Sequence, residues 1–315
     1  MKGKPMYESG IKRVSTVMLC GIIGLSAFRG TPVWSASSDV IKQDDFEPGM
    51  DYTRSTWVFR KGAFPDLHFD YAGRIDVAPG DEKNGNKSFR FEWRQADSDG
   101  SNPTRHAELI TPSFPYSHSS SPKLEQWLGF RVYVDPKVLG PDEKPVVLMQ
   151  YHDTPGPDKD ANGKLLELGR NPIAALSYLR GQFSYGWKGD TNRITTKDKK
   201  GAWIYTQKGG FPLGAARNGW NTFVFHHKFD YSGDGSVEVW CNGIRFARQN
   251  IQLGFNDVMG PYLKFGFYWY TGQSVPNPAV SDPARVAWFD DVKIGNANAT
   301  YADVRPPGAP AHAPG

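Results

Sequence analysis

Tyr262-Leu263-Lys264-Phe265-Gly266-Phe267-Tyr268-Trp269-Tyr270 (YLKFGFYWY) has the alternation of a β-strand. Successive side chains of a strand point to opposite faces. Leu263, Phe265, Phe267 and Trp269 therefore make one apolar face, and Lys264, Gly266, Tyr268 and Tyr270 the other. A plain surface strand has this pattern, with Tyr rings lying on the sheet. So has a strand in the floor of a binding groove, where Gly266 leaves room for a ligand.

The same split recurs on either side. In Val146–His152, Gln150 and His152 share a face opposite Val147, Met149 and Tyr151. In His106–Ile110, His106 and Glu108 oppose Ala107 and Leu109, and in Ser88–Arg94, Arg90, Glu92 and Arg94 oppose Phe89, Phe91 and Trp93. Further strand-like runs are Trp127–Val134, Asn221–Phe229, Val237–Cys241 and Arg285–Ile294, bounded by Gly, Asp, Asn and Pro. Tyr231–Ser236 (YSGDGS) reads as a turn between two such runs. Only Pro136–Leu139 and Pro172–Leu179 read as short helices. Many short strands imply an all-β protein, a β-jelly roll or sandwich of two antiparallel sheets with a concave groove. Asp153–Lys164 and Asp190–Lys200 are polar insertions suited to the rims of that groove.

The 315 residues, with 10 Trp, 19 Phe and 14 Tyr, exclude a disordered chain, and the negative mean hydropathy excludes a polytopic membrane protein. A net charge of +4 suggests a nucleic-acid partner until its location is considered. Residues 1–36 hold Lys2, Lys4, Lys12, Arg13 and Arg29 against Glu8 alone, so the remainder is neutral. That leader has a basic start, the apolar Val14–Phe28 and the small-residue stretch Val33–Ser37, the pattern of an export signal. Its apolar run is short of a membrane span. The expected organisation is a signal peptide over 1–36, one jelly-roll domain over 37–305 and a disordered Pro-rich tail over 306–315. The expected protein is secreted or periplasmic and monomeric, with no nucleic-acid partner and no stable membrane insertion. Cys241, the one cysteine left after cleavage, reads as a small core hydrophobe.

The polar faces collect Arg, His, Gln, Lys and Tyr but few carboxylates. This set suits β-elimination from a uronic acid. The sugar carboxylate must be neutralised by donors so that the adjacent carbanion can form. Tyr or His then takes the proton, and Tyr can return one to the leaving oxygen. Glycoside hydrolysis requires two flanking carboxylates instead, and no such pair stands out. No cofactor is required. Glu47 with Asp290 or Asp291 has oxygen ligands for a structural Ca²⁺, although a turn-and-cap role is the simpler reading of these residues.

Ala107-Glu108-Leu109, Trp127–Tyr133, Gln150-Tyr151-His152, Gly219-Trp220-Asn221, Gly233–Trp240, Pro261–Tyr268 and Phe289–Val292 follow one another in this order. Together they resemble the polysaccharide lyase family that contains heparin lyase I and fungal glucuronan lyase, over roughly Phe46 to Gly295. The resemblance implies a jelly roll with a long groove and β-elimination of an anionic polysaccharide. It implies Tyr268 as the catalytic tyrosine, Lys264 as its basic neighbour, His152 as the groove histidine and Gln150 as the carboxylate contact. Where such lyases have an Arg two residues before the Glu of the Glu-Leu pair, this chain has His106, with Arg105 one step earlier. The neutralising role is thus open between His106, Arg105 and Arg94. Arg94, Glu108, Arg131, Tyr270 and Trp187 are expected substrate contacts, with core packing the other reading for Trp187. Two readings compete with glucuronate cleavage: an alginate lyase and a non-catalytic glycan-binding jelly roll.

Overall fold

Alternating strands cover most of the chain in the computed structural model, which describes residues 38–47, 58–61, 73–83, 85–93, 106–111, 124–135, 139, 145–269 and 285–311. The described strands are β1 (Val40–Asp44), β2 (Val58–Lys61), β3 (Gly73–Val77), β4 (Lys87–Trp93), β5 (His106–Ile110), β6 (Leu124–Val134) and β7 (Val146–His152). They continue with β8 (Ala174–Leu179), β9 (Gln182–Asp190), β10 (Gln207–Ala215), β11 (Gly219–Cys241), β12 (Ile244–Phe255), β13 (Tyr262–Trp269) and β14 (Arg285–Gly295). A single helical turn, α1 (Tyr301–Val304), follows. The fold is an all-β jelly roll.

The strands form two sheets. The first runs β3-β4-β14-β6-β11-β12, with β1 alongside the end of β14, and the second runs β2-β5-β13-β7-β8-β9, with β10 on β9. Neighbours are antiparallel throughout. The exception is Gly254–Phe255 of β12, which run parallel to Gly189–Asp190 of β9 and join the two sheets. Residues 36–315 form one unit.

Inward-facing rings hold the sheets together. Phe91 of β4 meets Phe265 of β13 edge-on at 6.0 Å, and Phe183 of β9 meets Phe223 of β11 at 5.0 Å. Such pairs add to the large apolar area each ring buries. Phe91 also touches Phe89 and Phe289 and is fully buried, so its truncation to Ala costs about 3–5 kcal/mol. Cys241 is buried in this core, where desolvation raises its thiol pKa to about 12.

Three sequence expectations change. Tyr231–Ser236 is a bulge inside the continuous β11, whose register on β12 slips between Asp230 and Gly235. Gly235 is required there, because a Cβ would lie 2.6 Å from the Ile251 carbonyl oxygen. Residues 174–179 of the expected helix Pro172–Leu179 are strand β8, inserted between β7 and β9. Of Pro136–Leu139, only Leu139 is described; it is helical, its N–H donating to the Asp135 carbonyl. The tail expectation fails over its first residues. Pro306 is buried, and Pro310 packs over Gly243. The segment is led there by α1, whose Tyr301 meets Trp240 at 5.2 Å. Residues 312–315 and the leader lie outside the described residues.

Candidate active site

The outer face of the second sheet holds a cleft of about 1170 Å³. Two cross-strand rows make its floor. One passes from Lys264 on β13 to Gln150 on β7, Ala175 on β8, Gly186 on β9 and Gly210 on β10. The other runs Tyr268, Val147, Ser177, Ser184, Pro212. Each row has its reactive side chains at one end and small residues beyond, so the floor stays low where a polymer would extend across the strands.

Val147 was expected to face away from Gln150 and His152, yet all three line the cleft. Leu148 and Met149 are both buried, and the register on β8 slips between Val147 and Met149. This irregularity resets the alternation and puts Val147 beside Tyr268.

The polar groups of the floor are tied from below. Gln150 Nε2 donates to Glu108 Oε1 at 2.5 Å, and both residues are buried. Its second amide hydrogen remains for another acceptor. Lys264, also buried, holds its ammonium 5.4 Å from the Tyr262 ring, and Tyr262 pairs with His152 across the strands. Lys264, Gln150, His152 and Tyr268 thus share one cleft. Glu108 is anchored beneath Gln150. His106 pairs through its backbone with Tyr268 on the facing strand. Arg94, Arg105 and Tyr270 lie outside the described residues.

His152 has a further support that sequence reading missed. Its Nδ1 lies 2.7 Å from Asp153 Oδ1, and Arg170 Nε donates to Asp153 Oδ2 at 2.7 Å. Arg170 also reaches Glu167 and both Asp257 oxygens at 2.7 Å, and its guanidinium lies over the Phe255 ring. Burial alone would raise the Asp153 carboxyl, but His152 and Arg170 outweigh it and hold the group below its ordinary value. Asp257, one of three carboxylates around a single guanidinium, is pushed by burial up to about 7. The Asp next to His152 is visible in sequence; Arg170 and Asp257 arrive through loops and leave no such signal.

Of the two insertions, the second contributes to the wall of the cleft through Lys197, and no residue of the first lines it. Lys197, from the second, lies over the Trp203 ring at 4.1 Å, and both line the cleft with Gly169–Pro172 from just beyond the first. Arg193 ties the loops together through Asp158 at 2.7 Å. Lys188 and Lys208, to which sequence reading gave no role, also line the cleft.

Other expected contacts lie elsewhere. Trp187 is buried in the core, its ring packed against Gly209 and 5.9 Å from Phe211, because it alternates with the cleft-facing Gly186 and Lys188. Arg131 belongs to the first sheet. It bonds Asp290 and Asp291 at 2.6 Å each and lies over the Trp220 ring at 4.5 Å. The residues considered for Ca²⁺ have protein partners. Glu47 accepts from the Lys87 N–H, a guanidinium already serves Asp290 and Asp291, and no group of three His, Cys, Asp or Glu suited to a metal occurs among the described residues.

Residues 50–293 match the family described as Polysaccharide lyase. No curated protein matches the chain. Among solved structures, the endo-β-1,4-glucuronan lyase from the fungus Trichoderma reesei superimposes with a TM-score of 0.54 at 14% identity, covering 79% of this chain and 98% of that one. The alginate lyase from Aplysia kurodai gives a TM-score of 0.45 at 13% identity, with 72% and 88% covered. The alginate lyase vAL-1 from Chlorella virus gives 0.43 at 12%, with 72% and 90% covered. The first likeness is one of fold.

Proposed function

The chain belongs to the polysaccharide lyase family and is a carbon–oxygen lyase acting on polysaccharides; on that footing, we propose that its substrate is a uronic-acid polysaccharide, probed first as glucuronan, cut by β-elimination in the cleft of the second sheet. The observation that carries this reading is the register of Lys264 opposite Gln150, with His152 and Tyr268 at the two ends of the same floor. Lys264 and the free amide hydrogen of Gln150 provide a cation and a donor side by side, which neutralise a sugar carboxylate and so favour the carbanion.

From Val147, opposite Tyr268, to His152 is a run of roughly 15 Å of strand. The two long side chains thus approach a sugar seated on Gln150 from opposite ends. With its Nδ1 turned to Asp153, 2.7 Å from the carboxylate and 3.3 Å from the carbonyl oxygen, His152 acts as the tautomer whose bare Nε2 takes the proton next to the sugar carboxylate. The electron pair forms the new double bond as the bond to the glycosidic oxygen breaks. Tyr268 gives its phenolic proton to that leaving oxygen, and proton exchange with water returns both groups to their starting states. The leader over 1–36 supports export, which gives the enzyme access to a polymer outside the cell. Among the described residues, no helix is long and apolar enough to cross a membrane.

The test is ultraviolet absorbance of the unsaturated product when purified protein meets glucuronan, heparin, heparan sulfate and alginate. A rise with glucuronan is expected. A rise with alginate alone would move the substrate to the alginate class, and no rise with any polyuronate would overturn the reading.

A further inference from the structure

Beyond the reactive end, the cleft contains cations that the proposed chemistry does not use. Lys188 on β9 and Lys208 on β10 are directly cross-strand, so their side chains stand on the same face. Like charges in such a pair destabilise a sheet. Lys188 is half-buried, and its Nζ donates to the Pro172 carbonyl at 3.3 Å, which keeps the ammonium over the floor. Among the described residues, neither lysine forms an ion pair with a carboxylate. Desolvation and then the charge of Lys208 lower the Lys188 pKa, with no acid offsetting them. Lys197 adds a third ammonium on the adjoining wall. The floor beside the pair is Gly186 and Gly210, which leaves room for a bulky group.

The spacing is suited to a polymer. β9 is two strands from β7 and β10 is three, or roughly 10 and 14 Å, and a linked pyranose unit advances by roughly one strand spacing. We propose that Lys188 and Lys208 form a second anion subsite, which takes the carboxylate of a uronate about two to three units along the polymer from the sugar seated on Gln150. This inference rests on the uronate reading above. The mutual repulsion of the two lysines is relieved when the carboxylate sits between them, so the cleft favours long polyuronates over short ones.

Calorimetric binding tests this without requiring turnover. In a Tyr268→Phe background, a glucuronate hexasaccharide and a disaccharide are titrated into protein with and without Lys188→Met and Lys208→Met. The ratio of hexasaccharide to disaccharide affinity is expected to fall about tenfold, the size of a lost charge-assisted contact. An unchanged ratio overturns the subsite. A ratio that falls for a heparin hexasaccharide but not for the glucuronate one overturns the carboxylate assignment in favour of sulfate. K208E separates binding from structure: it replaces repulsion by attraction, so thermal stability should rise while hexasaccharide affinity falls. Stability and affinity moving together would overturn the proposal. Failure of the lyase reading is distinct, since it appears as hexasaccharide binding by wild-type protein with no unsaturated product.

Discussion

Both sheets present a polar outer face, but they treat their charges in opposite ways. On the first sheet a series of cations meets acids. Arg74 pairs with Asp76, Arg90 with Glu92, Arg131 with Asp290 and Asp291, and His226 with Glu125 and Glu238, while Arg245 also reaches Glu238. Rings cover the remainder: Trp127 stacks on His226 at 4.0 Å, and Tyr133 sits between Trp220 and Trp288. On the second sheet, among the described residues, the charged cluster around Arg170 is buried behind His152, and Lys188 and Lys208 are left to each other. A self-neutralised face serves stability. A face with uncompensated donors serves a ligand that brings its own negative charge.

The contrast breaks most sharply at Tyr268. Tyr268→Phe should reduce turnover by about 10²–10⁴-fold with an unchanged thermal midpoint; retention of most activity would remove the tyrosine from the chemistry. On the first sheet the effect should reverse. Arg131→Met strands the buried carboxylate of Asp290 beside the half-buried one of Asp291 and should cost about 3–5 kcal/mol in denaturant unfolding, while kcat and KM of the folded enzyme stay within twofold of wild type. A raised KM would mean that Arg131 touches substrate after all.

Asp153→Asn should lower kcat by about 10–100-fold with little change in KM, because His152 loses the partner that fixes its tautomer. An effect confined to KM would make Asp153 a binding residue. The pH response of the same cluster has a definite sign. Asp257 titrates at about 7 in the folded protein and at about 3.9 unfolded. The folded state therefore holds the extra proton, and stability falls as pH rises from about 4 to about 7. Asp257→Asn removes that loss, so its thermal midpoint relative to wild type should be higher at pH 8 than at pH 5; equal differences would place the ionised carboxylate in the fold. The smallest effect is expected at Arg245, an exposed partner of Glu238, where Ala should shift stability by within about 0.5 kcal/mol.

The contrast also explains what could be read from the sequence. Alternation assigns residues to faces correctly for Lys264, Gln150, His152 and Glu108, because buried rings on the opposite face fix the register. It does not say which of two outer faces a strand contributes to. Arg131 therefore looked like a substrate contact, although β6 belongs to the other sheet. Trp187 had the parity of a core residue, opposite Gly186 and Lys188, and the core is where it lies. The bulge at Leu148 left no mark within the apolar run Val146–Met149. Arg170 and Asp257 come together only through tertiary packing, so nothing local could announce them. Lys188 and Lys208 were plain in the sequence, but their significance lies in being neighbours, which depends on how β9 and β10 pair.

The pairing of β1 with the end of β14, extended by Asp39 against Asn296, has a consequence in time. A chain emerging from its N-terminus presents β1 early and its partner last, with nearly all of the sequence between them. The first sheet cannot close until the final strand is free, and such long-range closure is slow. Until then the edge of β14 that β1 will cover stays unmade. The first sheet is thus closed by its first and last described strands, and it stays open at that edge until β14 arrives.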